Sequence, residues 1–378
     1  MTTTKKDPVL VVLQLTGAND PLNTVIPYTN PLYWDNRPNV HIPGDKVLPI
    51  NDELGFHPSM GAVKRLWDEG KVAIIHGIGY ENSPRSHFRS MDIWHTCEPD
   101  KVGTEGWLGK VIRDLDPNGS NVLKGVNFGQ GLPRALALRG VPVTSVSDLE
   151  SYGVLTDVPG IDSPAERDRM LDIFARIYAP TIGTGPVMDY LSQTGRNVLD
   201  GADVIKTAPQ KYASGVEYAD TPIAKALKSV AQVYLADLGT QIFYTQHGSF
   251  DTHFNQLPMH NKLWTDVGQA IGDFFEDLRE HNAGDNLIMM LFTEFGRRVK
   301  DNGTGTDHGA GGIAFVIGEP VKGGMYGTYP SLKAEDLSQG DLAPNYDFRG
   351  FYSSVVEQWL GLDSVPIVGG KFEQMSFV

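Results

Sequence analysis

The stretch Leu287–Phe292, LIMMLF, constrains this chain more than any other: an unbroken apolar run that ends at once in the polar turn Thr293-Glu-Phe-Gly and a loop rich in Gly, Asn and Asp. A run this short, bounded by turn residues, reads as a strand buried on both faces, as in a parallel sheet covered by helices. Val9–Leu15 (VLVVLQL), residues 71–78 (KVAIIHGI) and residues 241–246 (QIFYTQ) read the same way, and residues 315–317 as a shorter strand. Helical spacing of apolar residues falls between them, at 58–70, 164–188, 222–238, 259–280 and 352–360. Strands alternating with helices predict an α/β chain with a mostly parallel sheet. Residues 21–49 form a long loop that its Tyr and Trp residues favour as ordered, and the polar stretch 195–220 reads as a surface connection. With no repeat, low-complexity tract or linker, residues 1–378 are read as one elaborated domain.

Charge and cysteine content remove several functions. The formal net charge of −14 argues against wrapping nucleic acid, which needs basic surface. An anionic substrate would need a locally cationic site, made by a metal or by arginine. The lone cysteine, Cys97, excludes an internal disulfide and a thiolate-rich zinc site. No apolar run reaches the ~20 residues of a membrane-spanning helix. The run Val9–Leu15 is short, is interrupted by Gln14 and has no small-residue cleavage site after it, so it reads as the first strand and the expected location is cytoplasmic.

The chemistry-bearing residues fall just beyond strand ends, where open α/β sheets place ligands. Asp20 follows the first strand, and Arg85, Ser86 and His87 follow the second. Asp251 and His253 follow a later one, and Glu294, Asp307 and His308 come last. Asp251 and His253, two residues apart in extended chain, share a face and can reach one ion. Carboxylates with imidazoles suit hard or borderline divalent metals. Each residue also has a structural reading: Asp20 and Asp307 as turn residues, Glu294 in an ion pair with Arg297, Ser83 or Ser86 as a helix N-cap, and His76 as a satisfied core histidine. The phosphate loop, His-Glu-x-x-His and Gly-x-Ser-x-Gly are all absent.

Six motifs in order carry a resemblance. They are Gly17-Ala-Asn-Asp20 with Asn23-Thr-Val-Ile-Pro27, Arg85-Ser-His-Phe88, Gly106-Trp-Leu-Gly109, Gly248-Ser-Phe-Asp-Thr-His253, Thr293-Glu-Phe-Gly-Arg297 and Gly305-Thr-Asp-His-Gly309. Together they resemble a bacterial family of unknown function in the alkaline phosphatase/sulfatase superfamily, over nearly the whole chain. The resemblance implies an α/β/α sandwich of alkaline-phosphatase-like fold, with one or two divalent ions at the carboxyl edge of the sheet. Zinc is foremost, with manganese, magnesium and calcium compatible. It implies Asp20, Asp251, His253, Glu294 and His308 as ligands, with Asp307 or His87 substituting for a missing nitrogen ligand, and Ser86 as nucleophile. Arg85 and Arg297 would clamp substrate oxygens, and His87 would protonate the leaving group. Phe295 stands where the superfamily places a histidine, and the sulfatase signature is unmatched because Pro84 directly follows Ser83. The expected function is hydrolysis of a small anionic phosphate or sulfate ester. The alternatives are a phosphotransferase or mutase, and a non-catalytic binding or scaffold protein with a degenerate site.

Overall fold

The apolar runs become the centre of one large sheet in a computed structural model that describes residues 6–149, 163–177, 201 and 204–378. Its strands are β1 (Val9–Leu15), β2 (Val72–Gly79), β3 (Gly125–Phe128), β4 (Thr144–Val146), β5 (Ile242–His247), β6 (Leu287–Phe292), β7 (Gly312–Ile317), β8 (Gly324–Tyr326) and β9 (Tyr346–Asp347). Among the described residues they lie in the order β8-β2-β7-β6-β1-β5-β3-β4, with β9 also paired to β2. Pairings are parallel except those of β7, which runs antiparallel to both β2 and β6.

Successive side chains of a strand point to opposite faces, and the central strands bury both. Val9, Val11, Leu13 and Leu15 of β1 face a core made with helices α1 (Gly61–Asp68), α4 (Pro222–Leu235) and α5 (Gln256–Glu280). Leu10 and Val12 face a second core with α2 (His87–Thr96), α3 (Trp107–Leu115) and α6 (Phe348–Ser354). In β6, Leu287, Met289 and Leu291 belong to the first core, and Ile288, Met290 and Phe292 to the second. The fold is the expected α/β/α sandwich with a mostly parallel sheet.

Some boundaries differ from the sequence reading. Residues 21–49 are ordered, as their aromatics suggest, but are not all loop: they hold a helix at Pro31–Asn36, and Val25–Ile26 and Leu48–Pro49 each pair with Gly55–Phe56 in a three-stranded sheet. The connection 195–220 is not all surface, because Ile205 and Ala208 are fully buried in the first core. The helix expected over 164–188 is observed as Pro164–Ile177, and its remainder lies outside the described residues. The last long helix begins earlier, at Phe348, and its continuation Val355–Trp359 is a π-helical turn. His76 is a buried core histidine, yet its Nε2 meets no hydrogen-bond partner, and burial lowers its pKa to about 4.

The direction of β7 decides where the site forms. The loop leaving β6 at its carboxyl end need not cross the sheet to enter an antiparallel neighbour. Residues 293–311 therefore stay at the same edge as the carboxyl ends of β1, β2 and β5.

Candidate metal centre

Three imidazoles meet at that edge. His87 begins α2, His253 lies between β5 and α5, and His308 sits in the loop before β7. His308 Nε2 is 2.9 Å from His87 Nε2 and 2.9 Å from His253 Nε2. Asp251 Oδ1 completes the group, 3.1 Å from His308 Nε2, 3.0 Å from His253 Nε2 and 3.4 Å from His87 Nε2.

The far side of each ring is held by oxygen. His87 Nδ1 donates to Glu294 Oε1 at 2.7 Å, His253 Nδ1 to Asp307 Oδ1 at 3.0 Å, and His308 Nδ1 to the Arg85 carbonyl at 2.9 Å. A ring that donates from Nδ1 leaves the Nε2 lone pair free for a cation, and this pattern of oxygen partners is how proteins orient metal-ligating histidines. Three Nε2 lone pairs and a carboxylate oxygen pointed at one place repel one another. Either a cation lies between them or some of the rings carry a second proton. A tetrahedral ion with bonds of about 2.0–2.1 Å holds its ligand atoms about 3.3 Å apart. The separations among His87, Asp251 and His308, 2.9–3.4 Å, bracket that figure, and these three donors fit a divalent ion, with His253 Nε2 close to His308 and Asp251 only.

The supporting groups are fixed in turn. Glu294 is fully buried, with Oε1 also accepting from the Gly17 N–H at 2.9 Å and Oε2 from Thr293 Oγ1 at 2.9 Å. Burial alone would raise its pKa, but the bonds from His87, Thr293 and Gly17 hold it below the ordinary value. The same bond to Glu294 raises the pKa of His87 against the effect of burial. Burial also works to raise Asp251, and the hydrogen bond and charge of Arg297, aided by His308, bring it down to about 2. The bond from His253 lowers Asp307.

Close backbone approach is what lets these loops touch. Gly17 adopts φ +113, and a Cβ there would stand 2.6 Å from the Asp251 backbone nitrogen. A Cβ on Gly309, next to His308, would stand 2.5 Å from the Arg297 carbonyl carbon. Gly296, Gly305, Gly309 and Gly311 of the loop 293–311 serve contact rather than flexibility.

The other expected site residues lie around the group. Glu294 and Asp307 stand one hydrogen bond behind it, and Asp20 is engaged elsewhere. Buried Asp20 is paired with Arg37 through both oxygens, at 2.6 and 3.1 Å, and accepts from Gln256 Nε2 at 2.5 Å. The ion pair Glu294–Arg297 is not formed. Arg297 is fully buried, donates to the carbonyls of Gly17, Ala18, Phe250 and Thr306, and pairs with Asp251 at 2.6 Å. No donor of Arg297 faces solvent. Arg85 pairs with buried Asp341 at 2.5 Å. Ser86 is the N-cap residue of α2, but its side chain caps no backbone N–H. Phe295 packs against the rings of His87 and His308, at centroid distances of 5.0 and 5.2 Å. Arg37 and Thr293 are supports that the sequence reading does not name: Arg37 reaches Asp20 from the loop that follows it, and Thr293 donates to the adjacent Glu294 while accepting from the Asn19 N–H.

Asp277, Glu280 and His281 also bring ligand-type atoms together. There His281 faces the carbonyl oxygens of Asp277 and Ala213 with Nδ1 and Nε2, both at 2.9 Å. Both ring nitrogens are turned to carbonyl oxygens, and these bonds raise the pKa of His281, which disfavours it as a ligand.

Residues 193–350 match the family described as "Protein of unknown function (DUF1501)". No curated protein matches the chain. Among solved structures it is similar to a protein in the alkaline phosphatase superfamily from Vibrio parahaemolyticus, at 8% identity over 98% of this chain and 70% of that one, with a TM-score of 0.42. It is also similar to the soluble domain of lipooligosaccharide phosphoethanolamine transferase A from Neisseria meningitidis (7% identity, 95% and 90% coverage, TM-score 0.39). A third is the lipoteichoic acid synthase LtaP from Listeria monocytogenes (9% identity, 98% and 74% coverage, TM-score 0.37). No helix among the described residues is long and apolar enough to cross a membrane.

Proposed function

We propose that this protein is a metal-dependent hydrolase of phosphate or sulfate esters, with one divalent ion held by His87, Asp251, His253 and His308. The observation that carries the reading is the grouping of the His87, Asp251 and His308 ligand atoms, with His253 Nε2 beside Asp251 and His308 and each ring fixed from behind by an oxygen. A donor set of three imidazoles and one carboxylate favours zinc over magnesium or calcium, which prefer all-oxygen shells, and over manganese. Such an ion supplies Lewis acidity, neutralising a phosphoryl or sulfuryl oxygen and making a nearby hydroxyl more acidic.

The chain's own residues do the rest. Ser86 adjoins His87 at the start of α2, with a hydroxyl not engaged in capping, and is the candidate nucleophile. The first N–H groups of α2 favour negative charge beside it. His87 acts here as a ligand rather than as the acid for the leaving group. Arg297 positions Asp251, and Arg85 orients His308 through its carbonyl, so neither is assigned as a clamp. Asp20 with Arg37 braces the loop after β1. This single centre does not use the second ion that the superfamily resemblance allowed.

A second reading is favoured by one contact. Arg297 already places a cationic N–H on Asp251 Oδ1 at 2.6 Å, and a network completed by protons would make this a binding or scaffold protein. Metal analysis of the purified protein separates the two. The expected result is about one equivalent of metal, with a chelator abolishing hydrolysis of an aryl phosphate, an aryl phosphodiester or an aryl sulfate. Protein that takes up no metal and cleaves none of the three would rule out the hydrolase. Product analysis with added alcohol distinguishes hydrolysis from phosphoryl transfer.

A further inference from the structure

Large apolar side chains in water are rare enough that their grouping is informative, and three of the exposed ones among the described residues belong to segments at the edge that carries the histidines. Phe88, directly after His87, is 93% exposed, and Phe254, directly after His253, is 67% exposed. Leu132, in the loop leaving the carboxyl end of β3, is 49% exposed. The imidazoles preceding the two phenylalanines touch the same His308 nitrogen, so each phenylalanine stands one residue from the same centre. Leu132 is tied to the same side. Arg134, two residues on, pairs with Asp92 of α2, which lies four residues after Phe88 and therefore on the same helix face.

Folding explains none of this exposure. Neither ring is part of a buried core cluster, and both positions would accept a polar residue without loss of packing. The result is a polar, ion-binding floor with an apolar rim on two sides. A small hydrophilic ester would use the floor alone. An ester whose alcohol part is aromatic or a long alkyl chain would use both, burying its apolar surface against the rings once its anionic head is engaged.

We infer that the rim selects esters with an apolar leaving group, aryl or alkyl, bound against Phe88 and Phe254. This rests on the hydrolase reading and deepens it by naming the substrate class. The occupant is the substrate itself, because the rings adjoin the candidate ligands in sequence and, unlike Phe295, which is buried behind His87 and His308, are open to solvent.

The test uses the full chain loaded with zinc and two phosphonates that cannot be hydrolysed as esters, phenylphosphonate and methylphosphonate, with binding followed by calorimetry. The expected result is about tenfold tighter binding of phenylphosphonate, with the preference falling to about threefold or less in the Phe88→Ser/Phe254→Ser double variant. Melting temperature confirms that the double variant is folded, as expected for exposed positions. Equal binding of the two phosphonates by the wild type, or a double variant that keeps the full preference, would overturn the inference while leaving ester hydrolysis standing. Loss of self-association in the double variant with the preference unchanged would assign the rings to a second copy of the chain and also overturn it. Failure to bind either phosphonate, together with no ester hydrolysis, would remove the hydrolase reading and this inference with it.

Discussion

His87 and His308 meet through their Nε2 atoms at 2.9 Å, although they are separated by 221 residues and each is held from behind by a different oxygen. The oxygens make the arrangement testable without touching a ligand. Asp307→Asn replaces the carboxylate that orients His253, and it is expected to weaken zinc affinity by about 10–100-fold. Competition against a chromophoric chelator measures this, and unchanged affinity would show that His253 is not a ligand.

Ser86→Ala is expected to lower kcat by about a thousandfold or more on an aryl ester, with metal content unchanged, as for loss of a nucleophile that acts as one unit with its activators. Full activity in this variant would transfer the attack to water.

Gly17 holds two loops in contact, and φ +113 with a Cβ 2.6 Å from Asp251 N leaves no room for a side chain. Gly17→Ala is expected to destabilise the fold by about 1–3 kcal/mol and to lower zinc affinity by displacing Asp251. Urea unfolding and metal titration of the same sample would show both losses or neither.

The Asp20–Arg37 pair is buried on both sides. Burial penalises both charges, but each partner holds the other ionised, lowering Asp20 and raising Arg37. Removing one partner strands a buried charge, so Arg37→Met is expected to cost about 3–5 kcal/mol, and Asp20→Asn/Arg37→Met together less than the sum of the two single changes. Additive losses in a double-mutant cycle would mean the pair is not coupled.

Acid should weaken the protein well above the range in which its carboxylates titrate. Burial lowers the pKa of His57 to about 3 and those of His76, His95 and His260 to about 4, against an ordinary 6.5. The folded state keeps these rings neutral while the unfolded chain protonates them. Their contribution is therefore complete above pH 6.5 and is lost as pH falls toward about 4. Each such ring steepens the loss by at most about 1.4 kcal/mol per pH unit. His76→Phe, beside Tyr329 at 5.1 Å, should flatten the dependence of unfolding free energy between pH 6.5 and 5 by about that amount. An unchanged slope would mean that His76 does not titrate on unfolding.

The sequence made the layers legible because the strands are continuous apolar runs, buried on both faces by the parity of their side chains. It also made Asp251, His253 and His308 legible as candidates, since each stands where a strand end or its return loop delivers it. The partners of Asp20 and Arg297 were not legible. Arg37 approaches Asp20 from a loop whose path no local pattern encodes, and Arg297 bypasses Glu294, three residues away, to reach Asp251 across the sheet edge. Phe295 stands where a histidine was expected, and His87, from another strand end, supplies an imidazole to the group.

The antiparallel course of β7 has a consequence for assembly of the molecule. Because the return loop shares an edge with β1, β2 and β5, the candidate ligands are drawn from positions 87 to 308, and no fragment shorter than that span contains them all. An ion bound there would bridge segments up to 221 residues apart, and it could do so only after the sheet order had been established. Its occupancy would then report completed folding, like a clasp that closes only when the garment is already on.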